Sequence, residues 1–557
     1  MDSIKPKLFS VIGDYSKEQF IKDVISGIIV AIIALPLSIA LAIASGVNPE
    51  RGLYTAIIAG FLISFFGGSR VQIGGPTAAF VVIIYGIIEE FGMDGLIVAT
   101  IMAGMILIIM GLVHFGSLIK FIPYTITTGF TAGIAITLFV GQLKDFLGLD
   151  MGAVPSEFLA KMAAYGQHFS TVNWNALLIG VIAILIQIFW PRITDKVPGS
   201  LVAIIVTTLM VKFLPLEVNT IGSVYGELSS AFPKFALPHT TFRMIIKLAG
   251  SSFTIAFLAA IESLLSCVVS DGMIGSRHRS NAELVGQGLG NIASGLFGGI
   301  PATGAIARTA ANVKNGGRTP VAGMVHSLTL LLILLLLMPT AAMIPMPALA
   351  AILIIVAYNM SGWRECISMV KNAPKSDIAV FGITLFLTVI FDLVVAIEVG
   401  MVLASLLFIK TMSDTADLKE WTYMDEMENR NDPDNIKLKE VPKGTLVYEI
   451  VGPMFFGAAD TFLDIAYKTK GTRVIIIRMR GVPAMDVSAL HTLSGVWETC
   501  RKKHIKVIFS HTQEQPLSMM QKAGFYDQVG AKYFRENIDA ALAYARELCT
   551  KNTIAEK

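Results

Sequence analysis

The sequence predicts a polytopic α-helical membrane protein of about 14 segments, built as two inverted repeats of seven segments and followed by a small α/β domain. Hydrophobic residues make up 54% of the 557 residues and charged residues only 15%, whereas an average soluble domain is about 25% charged. Uncharged runs long enough to cross a bilayer follow one another through residues 20–412. Charged residues and short β-branched runs return after that point, which predicts a separate C-terminal domain.

This composition excludes several classes of protein. A soluble globule, a disordered chain and a secreted disulfide scaffold do not fit a chain so poor in charge and in paired cysteines. The net charge of +3 is too small to indicate a nucleic-acid partner. The four cysteines lack the spacing of a metal site, and no metal or other cofactor is predicted. No metalloprotease, phosphate-loop or hydrolase motif occurs, which argues against an enzyme and against ATP-driven transport.

Charges in the loops predict the orientation of the chain in the plasma membrane. Residues 1–19 are a basic N-terminal segment, and the first apolar stretch is too long and too far along the chain for a cleavable signal peptide. Basic residues are concentrated in alternate loops, such as Arg277 and Arg279 in one loop and Lys314 and Arg318 in another. The positive-inside rule places these loops in the cytoplasm, and an even number of segments places both termini there.

Two apolar segments are too short or too broken to be simple spans. Segment 74–88 opens with Gly-Gly-Pro, and segment 298–313 opens with Gly-Gly-Ile-Pro. A Phe-Gly-Gly motif accompanies both, Phe66–Gly68 in the first half and Phe297–Gly299 in the second. We predict that each break starts a half-helix inside the membrane and that the two halves of the chain are inverted repeats. The alternative is that common membrane-helix composition explains the similarity and that the breaks are packed kinks.

The start of each half-helix has the chemistry of an anion site. A helix N-terminus leaves backbone N–H groups unpaired and carries roughly half a positive charge. Two such ends that face each other at the bilayer midplane would bind an anion without a full buried cation. Ala78 and Gly304 are small enough to let an ion approach the backbone. Thr77, Thr303 and Gln72 are predicted to add hydrogen-bond donors.

Charged and titratable residues also fall inside predicted membrane segments. Arg308 is one turn into the second half-helix, where it would add positive potential; the alternative is a side chain that reaches lipid headgroups. Glu262 is in the middle of an apolar span, where a carboxyl group can take up a proton or, when charged, help hold sodium. A structural role as the partner of Arg308 is the alternative. Asp392 is expected at the outer interface, and His326, a single histidine in an apolar helix, is interpreted as a packed residue.

The C-terminal part of the chain predicts a linker and a cytoplasmic α/β domain. Residues 413–443 are polar and charged, and residues 444–557 alternate short β-branched runs with amphipathic stretches. The predicted strands are Thr445–Ile450, Arg473–Arg478 and Ile505–Ser510. The predicted helices are Ala458–Lys468, Ser488–Lys502, Gln515–Ala523 and Ile538–Cys549.

Four stretches of the chain resemble the SulP family of anion transporters, the sulfate permease family that is related to animal solute carrier family 26. They are LPLSIALAIASGVNPERGLY (Leu35–Tyr54), GGSRVQIGGPTAAF (Gly67–Phe80), IESLLSCVVSDG (Ile261–Gly272) and the long run from Asn281 to Gly323, which is the most specific. The resemblance covers essentially the whole chain. It implies fourteen segments in inverted repeats and an elevator-like movement of a core against a gate domain.

The resemblance also implies roles for individual residues. The family's anion site, between the third and tenth segments, is matched by Thr77, Ala78, Ala302, Thr303, Gly304 and Arg308. Glu262 matches an acidic position in the eighth segment, where proton-linked members tend to carry Glu and sodium-linked members Asp. Proton coupling is therefore the first choice, and sodium coupling and anion exchange are the alternatives. The resemblance further implies a homodimer in the lipid bilayer.

The C-terminal domain resembles a STAS domain, the fold that is shared with anti-sigma factor antagonists. The matching stretch is RGVPAMDVSALHTL (Arg480–Leu493). Soluble relatives carry a phosphorylated serine in an Asp-Ser-Ser-Gly segment at a helix start. Here Ser488 takes that position, but Val487 replaces the preceding serine and Ala489 replaces the glycine. A helix cap is the other interpretation of Ser488. The resemblance implies that this domain supports dimer contact and regulation, including a cytoplasmic partner.

The sequence therefore predicts secondary active transport of a small anion of the sulfate, bicarbonate or dicarboxylate class. Other classes of function stay open at this stage. A nucleobase permease shares the architecture by resemblance, but it lacks a STAS-like tail and needs polar side chains that bind base edges. An anion channel, or a signalling receptor whose tail binds a partner, would use a similar fold without coupled uptake.

Overall fold

The computed structural model describes residues 4–117, 123–152, 154–194, 197–391, 393–414, 417–421, 440–455 and 471–555. The chain divides into two compact units, Met1–Val402 and Leu403–Lys557. Two sequence-based predictions, the interfacial position of Asp392 and the helix Ala458–Lys468, concern residues outside these ranges.

Within the described residues, the membrane part is helical and contains two successive sets of seven segments, most of them apolar. The helix Val81–Leu112 counts as two segments because Gly92 has a non-helical conformation, with φ of 64° and ψ of −162°. The segments of the first half are Lys17–Ala44, Pro49–Phe66, the two parts of Val81–Leu112, Tyr124–Gly141, Trp174–Phe189 and Gly199–Phe213. The segments of the second half are Phe242–Ile274, Ser280–Leu296, Ile306–Lys314, Val321–Ala341, Met346–Met360, Lys375–Ile390 and Leu393–Asp414.

These fourteen segments agree with the sequence-based prediction, although not all of them are long or apolar enough to be identified as spans on their own. Within the described ranges, 8 helical stretches are long and apolar enough to cross a membrane, and the kinked helix is one of these 8. An odd number of segments in each half gives the second half the opposite orientation. Short helices and turns connect the segments: Leu8–Val11, Ile12–Asp14, Ala78–Phe80, Leu143–Leu147, Phe158–His168, Phe169–Thr171, Trp190–Arg192, Ile221–Tyr225 and Trp363–Asn372.

The membrane helices pack as two groups. The core group consists of the first four segments of each half: Lys17–Ala44, Pro49–Phe66, Val81–Leu112, Phe242–Ile274, Ser280–Leu296, Ile306–Lys314 and Val321–Ala341. The flanking group contains Tyr124–Gly141, Trp174–Phe189, Gly199–Phe213, Met346–Met360 and Lys375–Ile390. Helices pack most extensively on members of their own group, so the contacts between the groups form a natural division of the membrane part.

An apolar cluster joins the two groups near the start of the first half-helix. Ala78 and Val81 of the core group are buried together with Leu138, Ile204 and Leu349 of the flanking group. Removal of such surfaces from water stabilises a fold by about 25 cal/mol per Å². The start of the first half-helix is therefore held against hydrocarbon side chains on this side.

The second unit is built around a five-stranded sheet. Its strands, in spatial order, are Asp417–Trp421, Thr445–Val451, Val474–Gly481, Lys506–Ser510 and Phe534–Arg535. The first strand pairs antiparallel with the second, and the other pairings are parallel. The helices and turns are Val487–Lys502, Glu514–Lys522, Phe525–Val529, Ala531–Tyr533 and Ile538–Ala555. The predicted α/β domain is therefore confirmed.

The central strand Val474–Gly481 contributes side chains to both faces of the sheet. Ile475 and Ile477 pack in one apolar cluster with Leu490, whereas Ile476 packs in a second cluster with Leu542. Successive side chains of a strand point to opposite faces. A parallel strand that is covered on both faces carries a near-continuous apolar run. The first four residues of this strand, Val474–Ile477, form such a run, which explains why the strand is easily predicted from sequence.

The helix Val487–Lys502 has a different cap from the one that the sequence suggested. The carboxylate of Asp486 accepts a hydrogen bond from the backbone N–H of Ala489 at 2.8 Å. Asp486 is therefore the N-cap, and the interpretation of Ser488 as the cap is wrong. Ser488 lies in the first turn of the helix and is exposed.

Candidate anion-binding site

The two breaks in the membrane segments lie side by side in the core group. Gly74 pairs with Gly304 and Gly75 pairs with Thr303 in a short antiparallel ladder. A helical turn starts a few residues after the first strand, and the helix Ile306–Lys314 starts just after the second. The pairing therefore brings the starts of the two half-helices together.

Neither half-helix start has a side-chain cap. Thr77 precedes the first helical turn and Ala305 precedes the second half-helix, and neither side chain accepts a hydrogen bond from the N–H groups that follow. Helix starts that lack a capping side chain need water or a ligand for these N–H groups. They also carry the positive end of the helix dipole. Two uncapped starts next to each other are therefore suited to an anion.

Gln72 holds the first break against the helix Phe242–Ile274. Its Nε2 donates to the carbonyl oxygen of Ser263 at 3.0 Å, and its Oε1 accepts from the hydroxyl of Ser266 at 2.8 Å. The side chain is buried and lies so close to Gly304 that a Cβ at that position would overlap its amide. Glycine at position 304 therefore allows the second break to approach the first.

The hydroxyls of Thr77 and Thr303 both donate to the helix Phe242–Ile274. Thr77 Oγ1 donates to the carboxylate of Glu262 at 2.9 Å, and Thr303 Oγ1 donates to the carbonyl oxygen of Ala259 at 2.9 Å. From the sequence alone, these hydroxyls are predicted to be donors for the anion. In the structure they orient the half-helix starts, and Thr77 connects the first start directly to Glu262.

Arg308 is the buried cation beside these helix starts. Its side chain is only 2% exposed, which excludes the alternative that it reaches lipid headgroups. Its Nη2 donates to the carbonyl oxygen of Pro76, whereas Nε and Nη1 have no hydrogen-bond partner among the described residues. The opposite charge of Glu262 acts on the guanidinium. Buried N–H groups without partners are costly, and an anion in the site would satisfy them.

Three polar residues outside the predicted site hold the breaks in place. Asn291 makes two hydrogen bonds with Ala302: its Nδ2 donates to the carbonyl at 2.8 Å, and its Oδ1 accepts from the N–H at 2.9 Å. Thr309 and Asn312 make similar bonds to the backbone just before the first break. With Arg308 they form a buried polar face on a short helix. The spacing of these three residues in the sequence, which brings them to one side of a helix, could have predicted this face.

The charges of the site depend on the protonation of Glu262. When Glu262 is ionised, its charge balances that of Arg308. When Glu262 is protonated, the charge of Arg308 and the partial charges of the helix starts are uncompensated. Electrostatic energies are larger in the low-dielectric interior of a protein than in water. The arrangement is therefore chemically suited to bind a small anion together with a proton.

Comparison with known proteins finds matches over almost the whole chain. Residues 20–384 match the sulfate permease family, and residues 437–542 match the STAS domain. A protein of Bacillus subtilis that is provisionally named a sulfate transporter, YvdB, is 40% identical, and the match covers 94% of this chain and 98% of YvdB.

Solved structures match the fold as well. The transmembrane domain of the cyanobacterial bicarbonate transporter BicA is 30% identical, with a TM-score of 0.60 over 69% of this chain and 98% of that domain. The murine anion transporter Slc26a9 of Solute Carrier 26 family, in an inward-facing state, has a TM-score of 0.87 at 16% identity, over 97% of this chain and 94% of its own. The predicted fold, a helical membrane domain followed by a STAS domain, is confirmed.

Proposed function

Because this chain belongs to the sulfate permease family, and is a multi-pass membrane transporter of anions and not an enzyme, we propose that it carries out secondary active transport. The substrate is a small anion of the sulfate, bicarbonate or dicarboxylate class. The observation that supports this proposal best is the pair of uncapped half-helix starts beside the unpaired N–H groups of Arg308.

The proposed substrate site lies between the two half-helix starts. Backbone N–H groups bind the anion, and Arg308 supplies the full positive charge. The small residues of the two starts let the anion reach the backbone, and the polar side chains fix the positions of the starts. These residues are Gln72, Thr77, Ala78, Ala302, Thr303 and Gly304.

The charge balance of the site supports proton coupling through Glu262. Uptake of an anion into a negative cell is opposed by the membrane potential, at about 2.3 kcal/mol per charge and 100 mV. Protonation of Glu262 leaves Arg308 uncompensated, which favours anion binding, and a bound anion in turn favours protonation. This reciprocity is a requirement of linked equilibria. The proton thus enters with the anion and offsets its charge.

Two other coupling modes and two other functions remain as alternatives to this mechanism. Sodium symport would use ionised Glu262 as an oxygen ligand, and anion exchange would need no coupling cation. A nucleobase permease is disfavoured because the side chains of Gln72, Thr77 and Thr303 are already bonded to protein and are not directed at a base edge. An anion channel would use the same pocket without saturable uptake.

The division of the membrane helices into two groups supports an elevator-like movement. The half-helices and Arg308 all lie in the core group, and apolar side chains such as Val81 and Leu138 form the contact between the groups at this level. Apolar surfaces can slide without breaking hydrogen bonds. We assign the flanking group the role of the gate, and we expect the protein to be a homodimer.

Location and regulation form the remaining part of the proposal. The basic loops support a transporter of the plasma membrane with both termini of the chain in the cytoplasm. The second unit then offers a surface for a cytoplasmic partner.

Ser488 is exposed in the first turn of its helix, where the helix dipole favours a phosphate group. It therefore stays the candidate phosphorylation site of this domain.

Uptake by purified protein in proteoliposomes tests the proposed function. Labelled sulfate, bicarbonate, chloride and succinate are offered in turn, with no gradient, with an inward proton gradient or with an inward sodium gradient. We expect saturable accumulation of at least one anion that an inward proton gradient stimulates. Stimulation by sodium alone would favour the sodium symporter, and inhibition by uracil would favour a nucleobase permease. No uptake of any anion would contradict the proposal.

A further inference from the structure

His326 is a buried histidine whose polar atoms are unexplained by packing. It lies in the helix Val321–Ala341 and is 0% exposed. Neither Nδ1 nor Nε2 has a hydrogen-bond partner among the described residues. Nearly all buried polar side-chain atoms in proteins have a partner, and the exceptions call for a functional explanation or an unseen water. The interpretation of His326 as a merely packed residue leaves both ring nitrogens unaccounted for.

The neighbours of His326 place it behind the first break. Gly323, one turn earlier, faces the backbone of Gln72, whose carbonyl oxygen lies 3.3 Å from the position of a Cβ on that glycine. Ser327 donates to the carbonyl oxygen of Ala56 at 3.1 Å. His326 belongs to the same buried face of the helix. The same helix face reaches the strand of the first break, because a Cβ on Gly60 would be 2.8 Å from Ser327 Oγ and 3.0 Å from the carbonyl oxygen of Gly74. The next residue, Gly75, is the one against which the guanidinium of Arg308 lies.

The hydrogen-bonding capacities of the two side chains are complementary. A guanidinium offers only donors, and Nε and Nη1 of Arg308 are unpaired. A neutral imidazole offers one acceptor nitrogen and one N–H donor. Burial and a neighbouring cation both favour the neutral form of histidine over the charged form. His326 can therefore accept from Arg308 without adding a second buried charge.

We propose that His326 is a positioning residue for Arg308. Its unprotonated ring nitrogen accepts a hydrogen bond from the guanidinium through one bridging water, and so holds the guanidinium against the first half-helix start while the anion is bound. The inference rests on the proposed function in one respect, because it takes Arg308 as the group that attracts the anion. It adds a residue from a different helix, Val321–Ala341, to the machinery of the site.

Anion binding to the purified full-length chain tests this role. The probe is the labelled anion that the wild-type protein accumulates, taken from sulfate, bicarbonate, chloride and succinate. His326→Phe keeps a buried ring but removes the acceptor, and His326→Gln keeps an acceptor. We expect His326→Phe to weaken binding about tenfold, and His326→Gln to weaken it less, because a lost hydrogen bond to a charged group has an effect of this order.

A double-mutant cycle separates positioning from packing. In an Arg308→Lys background, which changes the donors that His326 would hold, we expect His326→Phe to have little further effect on binding. Leu330→Ala, on the same buried helix face, should lower the melting temperature without changing affinity. Equal weakening by His326→Phe in both backgrounds, or unchanged affinity in wild type, would overturn the proposal. Loss of all uptake by the wild-type chain would instead contradict the proposed function.

Discussion

The guanidinium of Arg308 lies directly against the α-carbon of Gly75. A Cβ placed on Gly75 would be 2.5 Å from Nη1 of Arg308, which is closer than two such atoms can approach. The same guanidinium donates to the carbonyl oxygen of Pro76. Gly75 also has a φ of +154°, a backbone conformation that L-residues rarely adopt. The glycine before the first half-helix is therefore needed for the position of Arg308 on the second.

We predict that Gly75→Ala displaces the guanidinium and weakens anion transport. The added methyl group occupies the space beside Nη1, so Arg308 can no longer lie between the two helix starts. We expect the apparent affinity for the anion to fall by about tenfold or more. Gly86→Ala is the matched control, because a Cβ on Gly86 meets no atom within 4 Å. Equal transport by the two variants would show that the close approach is unimportant.

Replacement of Arg308 tests its role as the cation of the site. Arg308→Ala removes the main positive charge beside the helix starts, and we expect a large increase in the anion concentration needed for half-maximal uptake. Arg308→Lys keeps the charge but loses the planar set of donors, so a partial loss is expected. Radiolabelled uptake at several anion concentrations separates affinity from maximal rate. If neither quantity changes in Arg308→Ala, Arg308 lies outside the transport site.

The anion site shows how far sequence reasoning reaches in a membrane protein. The Gly-Pro breaks were predictable because glycine and proline act locally on the backbone. The partners of Gln72 and Thr77 were not predictable, because they belong to a helix almost two hundred residues away in the chain. The burial of Arg308 likewise depends on how the core helices pack. The local effect of glycine and proline thus predicts where the half-helices start, whereas tertiary packing determines which polar atoms are already bonded within the protein.

In the second unit, the strands at the edges of the sheet were also not predictable from the sequence. The central strand Val474–Gly481 was predicted closely because it begins with the continuous apolar run Val474–Ile477. The edge strand Asp417–Trp421 falls in a charged segment that was predicted to be a linker, and Phe534–Arg535 is only 2 residues long. Edge strands often carry charged residues, so composition conceals them. The N-cap was also misassigned by two residues, a typical error at element boundaries.

We predict that Asp486→Ala destabilises the second unit locally. The substitution removes the bond from the N–H of Ala489, and loss of an N-cap usually lowers the free energy of unfolding by about 1 kcal/mol. Hydrogen exchange in the full-length chain should become faster in the first turn of Val487–Lys502. Ser488→Ala is the control, and it should leave exchange nearly unchanged. A larger effect of Ser488→Ala would restore that serine as the cap.

Deletion of residues 441–557 tests whether transport needs the main part of the second unit, which includes four of the five strands of its sheet. The residues of the proposed anion site and Glu262 all lie in the unit Met1–Val402. We therefore expect the truncated chain to retain measurable saturable uptake, although at a changed rate. Size-exclusion chromatography and circular dichroism confirm that the truncated protein is inserted and folded. Complete inactivity of a folded truncation would place an essential part of the mechanism in the second unit.

The coupling role of Glu262 is tested by removal of its proton-binding group with little change of shape. Glu262→Gln keeps the side-chain length and can still accept from Thr77, but it cannot be protonated and deprotonated. We expect uptake to continue without stimulation by an acidic outer solution, because no proton then moves with the anion. Glu262→Asp retains a carboxyl group and should retain acid stimulation, at reduced rate, since the shorter side chain moves away from Thr77. The measurement is anion uptake with and without an inward proton gradient, with internal pH followed by a trapped dye. Persistent acid stimulation in Glu262→Gln would assign the proton to another group, and dependence of Glu262→Asp on sodium would favour cation symport at this position.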